Sequence, residues 1–284
     1  MNSKKDSLTA FSRIDEFKHF WSRINNEMLR HPVITDNRYT KWYANGEMSL
    51  EQLRAFVVQF SVFSNLFLIA QLKKMLNADS IENMRLSREI LANEIGVANH
   101  MKENGEPTVE GGHFRHGLAH FEWLLILSKE MGLAFNDLGK RHHGSRATLT
   151  FCDALERLYG HEDYSTALAA SFAVENWANA GFWKELILGL HSYNEKNGTA
   201  LKDNFFVFHD KLEEHHAKHT QDELREIYFL HPIDEDKFIR VGNEMLDAIG
   251  CFWSGLDRER KRIARKTPRT RAKEVLRLMD SLNK

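Results

Sequence analysis

The chain has 284 residues, 42% of them hydrophobic, with only 4 Pro and 16 Gly. That is ample for a large core and too few turn formers for an all-β chain, so an all-α fold is expected. The formal net charge of −1 hides an asymmetry: from Arg258 to Lys284 there are 11 Lys/Arg against 3 Asp/Glu, a local +8 that leaves −9 for residues 1–257. Such a basic segment can bind nucleic acid or acidic membrane lipids, but is more commonly a solvated helix end; nothing in residues 1–257 looks like a nucleic-acid reader, and neither a nucleic-acid nor a membrane partner is expected. Cys152 and Cys251 build no disulfide framework and form no CxxC, which points to a reducing cytoplasm. No apolar signal-peptide core follows the basic start. The longest uncharged run, Ala55 to Leu72, is interrupted by Gln59, Ser61, Ser64, Asn65 and Gln71, so it reads as a buried helix and not a membrane span.

Residues 1–10 are expected to be loose. Phe11 to Leu29 carries a helical apolar stripe that ends at His31-Pro32, because the residue before proline leaves the α region. Ser49 with Gln52 has capping-box spacing and opens a helix from Leu50 to about Leu76, apolar nearly all round and therefore central. Ile81 to Ile95 is a third helix, stopped by Gly96. From Val97 to Gly112 the pattern lapses into a long loop, and loops of that length are functional or disordered. His113 to Met131, Ala147 to Leu158, Ser165 to Leu190 and Asn204 to Phe229 follow as helices. A long helix runs from Asp234 towards Arg265, and Pro268 separates it from a short one, Ala272 to Leu282. No repeat and no domain boundary are legible. The expected organisation is one bundle of about seven or eight helices over 11–266, with a basic tail over 267–284.

The chemistry concentrates in imidazoles and carboxylates. His209, Glu213 and His216 stand at i, i+4 and i+7 and share one helix face. Seven of the fifteen histidines fall in the windows 113–120 and 209–219. His113, His116 and His120 form another stripe. Glu175 sits in the apolar run Ala173-Val174-Glu175-Asn176-Trp177, where an ionised carboxylate must be neutral, paired or metal-bound. No cation lies one turn away on its own helix, so a Lys or Arg partner would come from elsewhere in the bundle. Glu94 suits an inward carboxylate or a snorkelling one equally. Three carboxylates and three imidazoles on four helices suit two iron or manganese ions in a bundle core better than zinc, which favours closed tetrahedral sites often built with Cys.

These residues make the chain resemble the heme-oxygenase-like diiron oxidases and oxygenases, whose fold is shared with thiaminase II and pyrroloquinoline-quinone synthase-like proteins. The family pattern is a Glu, a His before a helix-ending Gly, a Glu in an apolar helix, then His-x3-Asp/Glu-x2-His. It is similar here to Glu94, His120, Glu175 and His209-x3-Glu213-x2-His216, across roughly 13–255. The chain departs from many members in two ways: 25 residues lie between Glu94 and His120, and Glu213 stands where Asp is commoner. The long gap resembles the N-oxygenating branch, in which a further Glu about ten residues before the His joins the metal site; Glu110 holds that position. His100, His113 and His116 compete with His120. The resemblance implies two Fe ions, O2 as co-substrate, an external electron donor and a small amine or amino-acid-like substrate, with N-oxygenation ahead of desaturation or C–C cleavage. A homodimer is expected from the apolar helices. The competing classes are a metal-free thiaminase II-like hydrolase with a Cys nucleophile, and a non-enzymatic interaction module.

Overall fold

A computed structural model describes residues 2–97 and 118–282, with side chains for 13–97, 118–211 and 220–266. In chain order the helices are α1 (Asn2–Arg23), continued by a wider π-turn at Ile24–Met28, α2 (Pro32–Thr35), α3 (Arg38–Tyr43), α4 (Leu50–Leu76), α5 (Ile81–Glu94), α6 (His120–Glu130), α7 (Arg146–Ala154), continued by a π-turn at Leu155–Tyr159, α8 (Tyr164–Ala178), α9 (Phe182–Asn197), α10 (Asn204–Leu230) and α11 (Glu235–Leu282). There is no β-strand among the described residues.

The sequence signals explain the centre of this bundle. Ser49 and Gln52 exchange the two bonds of a capping box: Gln52 N–H donates to Ser49 Oγ at 3.2 Å and Ser49 N–H to Gln52 Oε1 at 2.8 Å. The helix they start buries Phe56, Phe60, Phe63 and Phe67 along one side, with Leu53, Val57 and Val62 around it. Although α4 is long and apolar enough to cross a membrane by length and composition, more than half of that stretch is buried against its neighbours. Beside it, α8 is rich in Ala, with Ala167, Ala169, Ala170 and Ala173 all buried, and packs against α10, α11 and the π-turn after α7. Small side chains permit that close approach. At roughly 25 cal/mol per Å² of apolar surface removed from water, this aromatic and aliphatic interior is the dominant stabilising term.

Three sequence expectations need correction, and a stretch to which no element was assigned proves helical. The first helix begins at Asn2, so the backbone of residues 2–10 is helical. The span 165–190 is two helices, because Gly181 adopts φ 85° and a left-handed residue breaks the hydrogen-bond ladder. Residues 32–43 hold two short helices, the second capped by the Asn37 side chain. Finally, α11 continues through Pro268 to Leu282 as one helix of 48 residues. A proline forfeits one backbone bond, and the good helix formers on both sides carry the helix past it.

Candidate metal centre

The bundle brings α5, α6, α8 and α10 to one end. Glu94 is the last residue of α5 and His120 the first of α6; Glu175 lies in the last turn of α8 and His209 in the second turn of α10. Glu94, Glu175 and His209 line one cavity of about 50 Å³, walled by Phe60, Phe63, Phe67, Trp177, Trp183 and Phe205. The His120 ring adjoins it, its centroid 4.6 Å from that of His209 at 76°.

The protonation of both imidazoles follows from their partners. His209 Nδ1 lies 2.6 Å from the Phe205 carbonyl, which only accepts, so Nδ1 carries the proton and Nε2 presents a lone pair. Trp183 stacks on this ring at 4.8 Å and 28°, fixing its plane. His120 Nε2 lies 3.3 Å from Asn93 Oδ1 and donates to it, which in the neutral ring leaves Nδ1 as a lone pair. That Nδ1 is 2.8 Å from Glu94 Oε2, yet the approach lacks hydrogen-bond geometry and the buried nitrogen has no hydrogen-bond partner. A lone pair and a carboxylate oxygen facing each other without a proton between them repel. A cation bound by both removes the repulsion.

Charge in the interior leads the same way. Among the described residues, Lys74 is the buried Lys or Arg, against the buried carboxylates Glu175 and Glu223 and the largely buried Glu94. Lys74 Nζ donates to Ser171 Oγ at 2.7 Å, one turn before Glu175 on α8, and lies over the Tyr159 ring at 5.2 Å. The Tyr159 hydroxyl gives its proton to Gln71 Oε1 at 2.6 Å and stands 3.4 Å from Glu175 Oε1. Burial first, and the Glu175 carboxylate second, hold that phenol well above its ordinary range. Among the described residues the buried carboxylates outnumber the buried Lys and Arg. The donor set of carboxylate oxygens and imidazole nitrogens fits iron or manganese.

The six expected core ligands divide by what is described. Glu94, His120, Glu175 and His209 are brought to one end of the bundle. Glu213 and His216 belong to the α10 backbone on the His209 face, but their side chains lie outside the described residues, as do His215 and His219; Glu110, His100, His113 and His116 lie outside altogether. Among the described residues no three His, Cys, Asp or Glu form a ready metal cluster.

No family model and no curated protein matches the chain by sequence. Structures do. A CADD-like protein of unknown function from Nostoc punctiforme PCC 73102 superposes with a TM-score of 0.57 at 19% identity, covering 88% of this chain and 98% of that one. The chain has the fold of that CADD-like protein. A domain of unknown function with a heme oxygenase-like fold from Shewanella denitrificans OS217 has a TM-score of 0.48 at 15% identity, covering 89% and 93%. A TenA homologue from P. horikoshii OT3 has 0.48 at 12%, covering 88% and 98%.

Sequence reasoning missed Asn93, Gln71, Lys74, Ser171 and Tyr159. Lys74 follows Lys73 at a helix end and reads as solvated, whereas only its α8 neighbour Ser171 reveals it as buried. Gln71 carries a weak signal, a polar residue in an otherwise apolar stretch.

Proposed function

We propose that the protein is a non-haem diiron oxidase or oxygenase that uses O2 to oxidise a small amine or amino-acid-like substrate. The observation that carries this reading is the 2.8 Å approach of His120 Nδ1 to Glu94 Oε2 without hydrogen-bond geometry, beside Glu175 and His209 around one aromatic-walled cavity. Glu94, His120 through Nδ1, Glu175 and His209 through Nε2 would hold the metal, with Glu213, His216 and Glu110 completing the set. Two bound Fe(II) ions would supply reducing electrons and open positions for O2. The chain's own part is legible. Trp183 and the Phe205 carbonyl orient His209, Asn93 fixes the His120 tautomer, and the phenylalanine walls keep bulk water out. N-oxygenation is the preferred outcome, on the position of Glu110 ahead of His120.

The metal-free hydrolase reading needs a thiolate. Burial pushes the Cys152 thiol up to about 12, which leaves it protonated and inert at neutral pH. Both cysteines are free, in keeping with a cytoplasmic setting.

Anaerobic loading with Fe(II) followed by exposure to O2 tests the proposal. Two irons per chain, a transient visible absorption and O2 consumption are expected; a chain that binds no iron and gives a featureless trace overturns it.

A further inference from the structure

Between residues 257 and 266, α11 carries six cations and two carboxylates. Arg258, Lys261, Arg262, Arg265 and Lys266 recur at i, i+3, i+4, i+7 and i+8, so they make one exposed stripe, and they line a groove of about 440 Å³. The local carboxylates do not neutralise it: Asp257 is shared by Arg260 at 2.6 Å and Lys261 at 2.5 Å, and Glu259 takes Arg262. A row of like charge held on a rigid helix complements an anionic surface.

What lies next to the stripe indicates the kind of partner. Arg258 also lines a second groove, of about 470 Å³, whose wall includes Tyr39 and Trp253. The Arg260 guanidinium covers the Trp42 ring at 4.1 Å, and both Trp42 and Trp253 pack on Tyr39, at 5.4 and 5.6 Å. Inward from Trp253, ring-to-ring steps of 6.4 Å to Phe60, 5.8 Å to Trp183 and 4.8 Å to His209 lead to the candidate metal centre. The basic surface and the centre are thus joined through packed aromatic rings.

We propose that the basic stripe of α11 docks an acidic one-electron carrier protein, whose electrons reach the centre by way of Trp253, Phe60 and Trp183. The proposal rests on the diiron reading. In each encounter the reduced carrier loses one electron and one iron(III) ion of the centre gains it, becoming iron(II), so two encounters restore the pair. The rings are the tunnelling medium and are themselves neither oxidised nor reduced. Electron-transfer encounters use small, transient, charge-steered interfaces, which suits an Arg/Lys stripe. A long nucleic acid fits less well, because the −9 of residues 1–257 would repel whatever extended beyond the stripe.

The probe is a plant-type [2Fe–2S] ferredoxin, an acidic carrier. Titrated in its oxidised form against the metal-free chain, it should bind, and bind less tightly as salt rises. Arg262→Glu with Lys266→Glu should weaken binding about tenfold or more, whereas Arg157→Glu, at the Glu244 pair roughly 27 Å back along α11 from Arg262, should not. With the iron(III)-loaded chain, reduced ferredoxin should deliver its electron about tenfold more slowly to the double variant, while dithionite reduces variant and parent alike. No binding, binding indifferent to charge reversal, or displacement of the ferredoxin by equimolar short duplex DNA overturns the proposal. Iron that dithionite reduces but ferredoxin does not also defeats it, and leaves the diiron reading standing. Failure of the chain to load iron defeats the diiron reading itself, and metal analysis makes the two failures distinguishable.

Discussion

His120 Nδ1 and Glu94 Oε2 meet at 2.8 Å in the interior, and no hydrogen bond joins them. With the imidazole neutral, the last residue of α5 and the first of α6 are therefore held in a repulsive contact that a shared cation would relieve.

That relationship gives opposite signs for one substitution in two states. In the metal-free chain, Glu94→Gln removes a charge from an interior with surplus carboxylates, so the midpoint of thermal unfolding should stay level or rise by roughly 2–4 °C, the equivalent of about 1 kcal/mol for a chain of this size. In the iron-loaded chain the same variant should lose at least one iron and melt lower. A lower midpoint in the metal-free form would show that Glu94 and His120 are a plain ion pair.

His209 and Glu175 should each be needed for metal. His209→Ala and Glu175→Ala are expected to lose at least one iron per chain by metal analysis, whereas His215→Ala keeps both. Trp183→Leu, which removes the ring stacked on His209, should weaken iron binding by about tenfold, as loss of an orienting neighbour typically does. Iron content unchanged in the His209 variant would remove α10 from the site.

The two thiols should differ in reactivity. Burial pushes Cys152 up to about 12, whereas Cys251 is half-buried. Iodoacetamide at mildly alkaline pH should label Cys251 in the native chain and both residues after denaturation; peptide mass mapping reads this out. Rapid native labelling of Cys152 would revive a Cys-nucleophile reading.

Acid sensitivity should have a component at the start of α8. Burial works to raise the Asp163 carboxyl, but bonds from Lys237 at 2.8 Å and from Thr166 outweigh it and hold the group below the usual carboxylate range. A depressed carboxyl contributes stability above its unfolded pKa of about 4, and that contribution is lost as pH falls through the folded value. Because the pair is partly exposed and screened, the cap sets the magnitude: Asp163→Ala should cost about 1–2 kcal/mol at pH 7. The difference between variant and parent should shrink below pH 4 in denaturant titrations. A difference that holds constant down to the lowest accessible pH would refute the linkage.

The sequence by itself determined most of the helical segments and the faces they bury. The apolar surround of α4, the Ser49–Gln52 cap and the spacing of His209, Glu213 and His216 are all local patterns, because a helix repeats every 3.6 residues and its caps lie within one turn. It also marked Glu175 as a carboxylate that an apolar helix must place somewhere polar. Local pattern overreached where a single backbone angle mattered, at Gly181, and where a proline was read as a stop, at Pro268. Only the tertiary structure decided the pairings between helices: Glu94 against His120 across 25 intervening residues, Lys74 on Ser171, Tyr159 on Gln71, and Trp183 on His209. Those contacts depend on the crossing and rotation of whole helices, which the packing of the shared core fixes and no stretch of residues encodes alone.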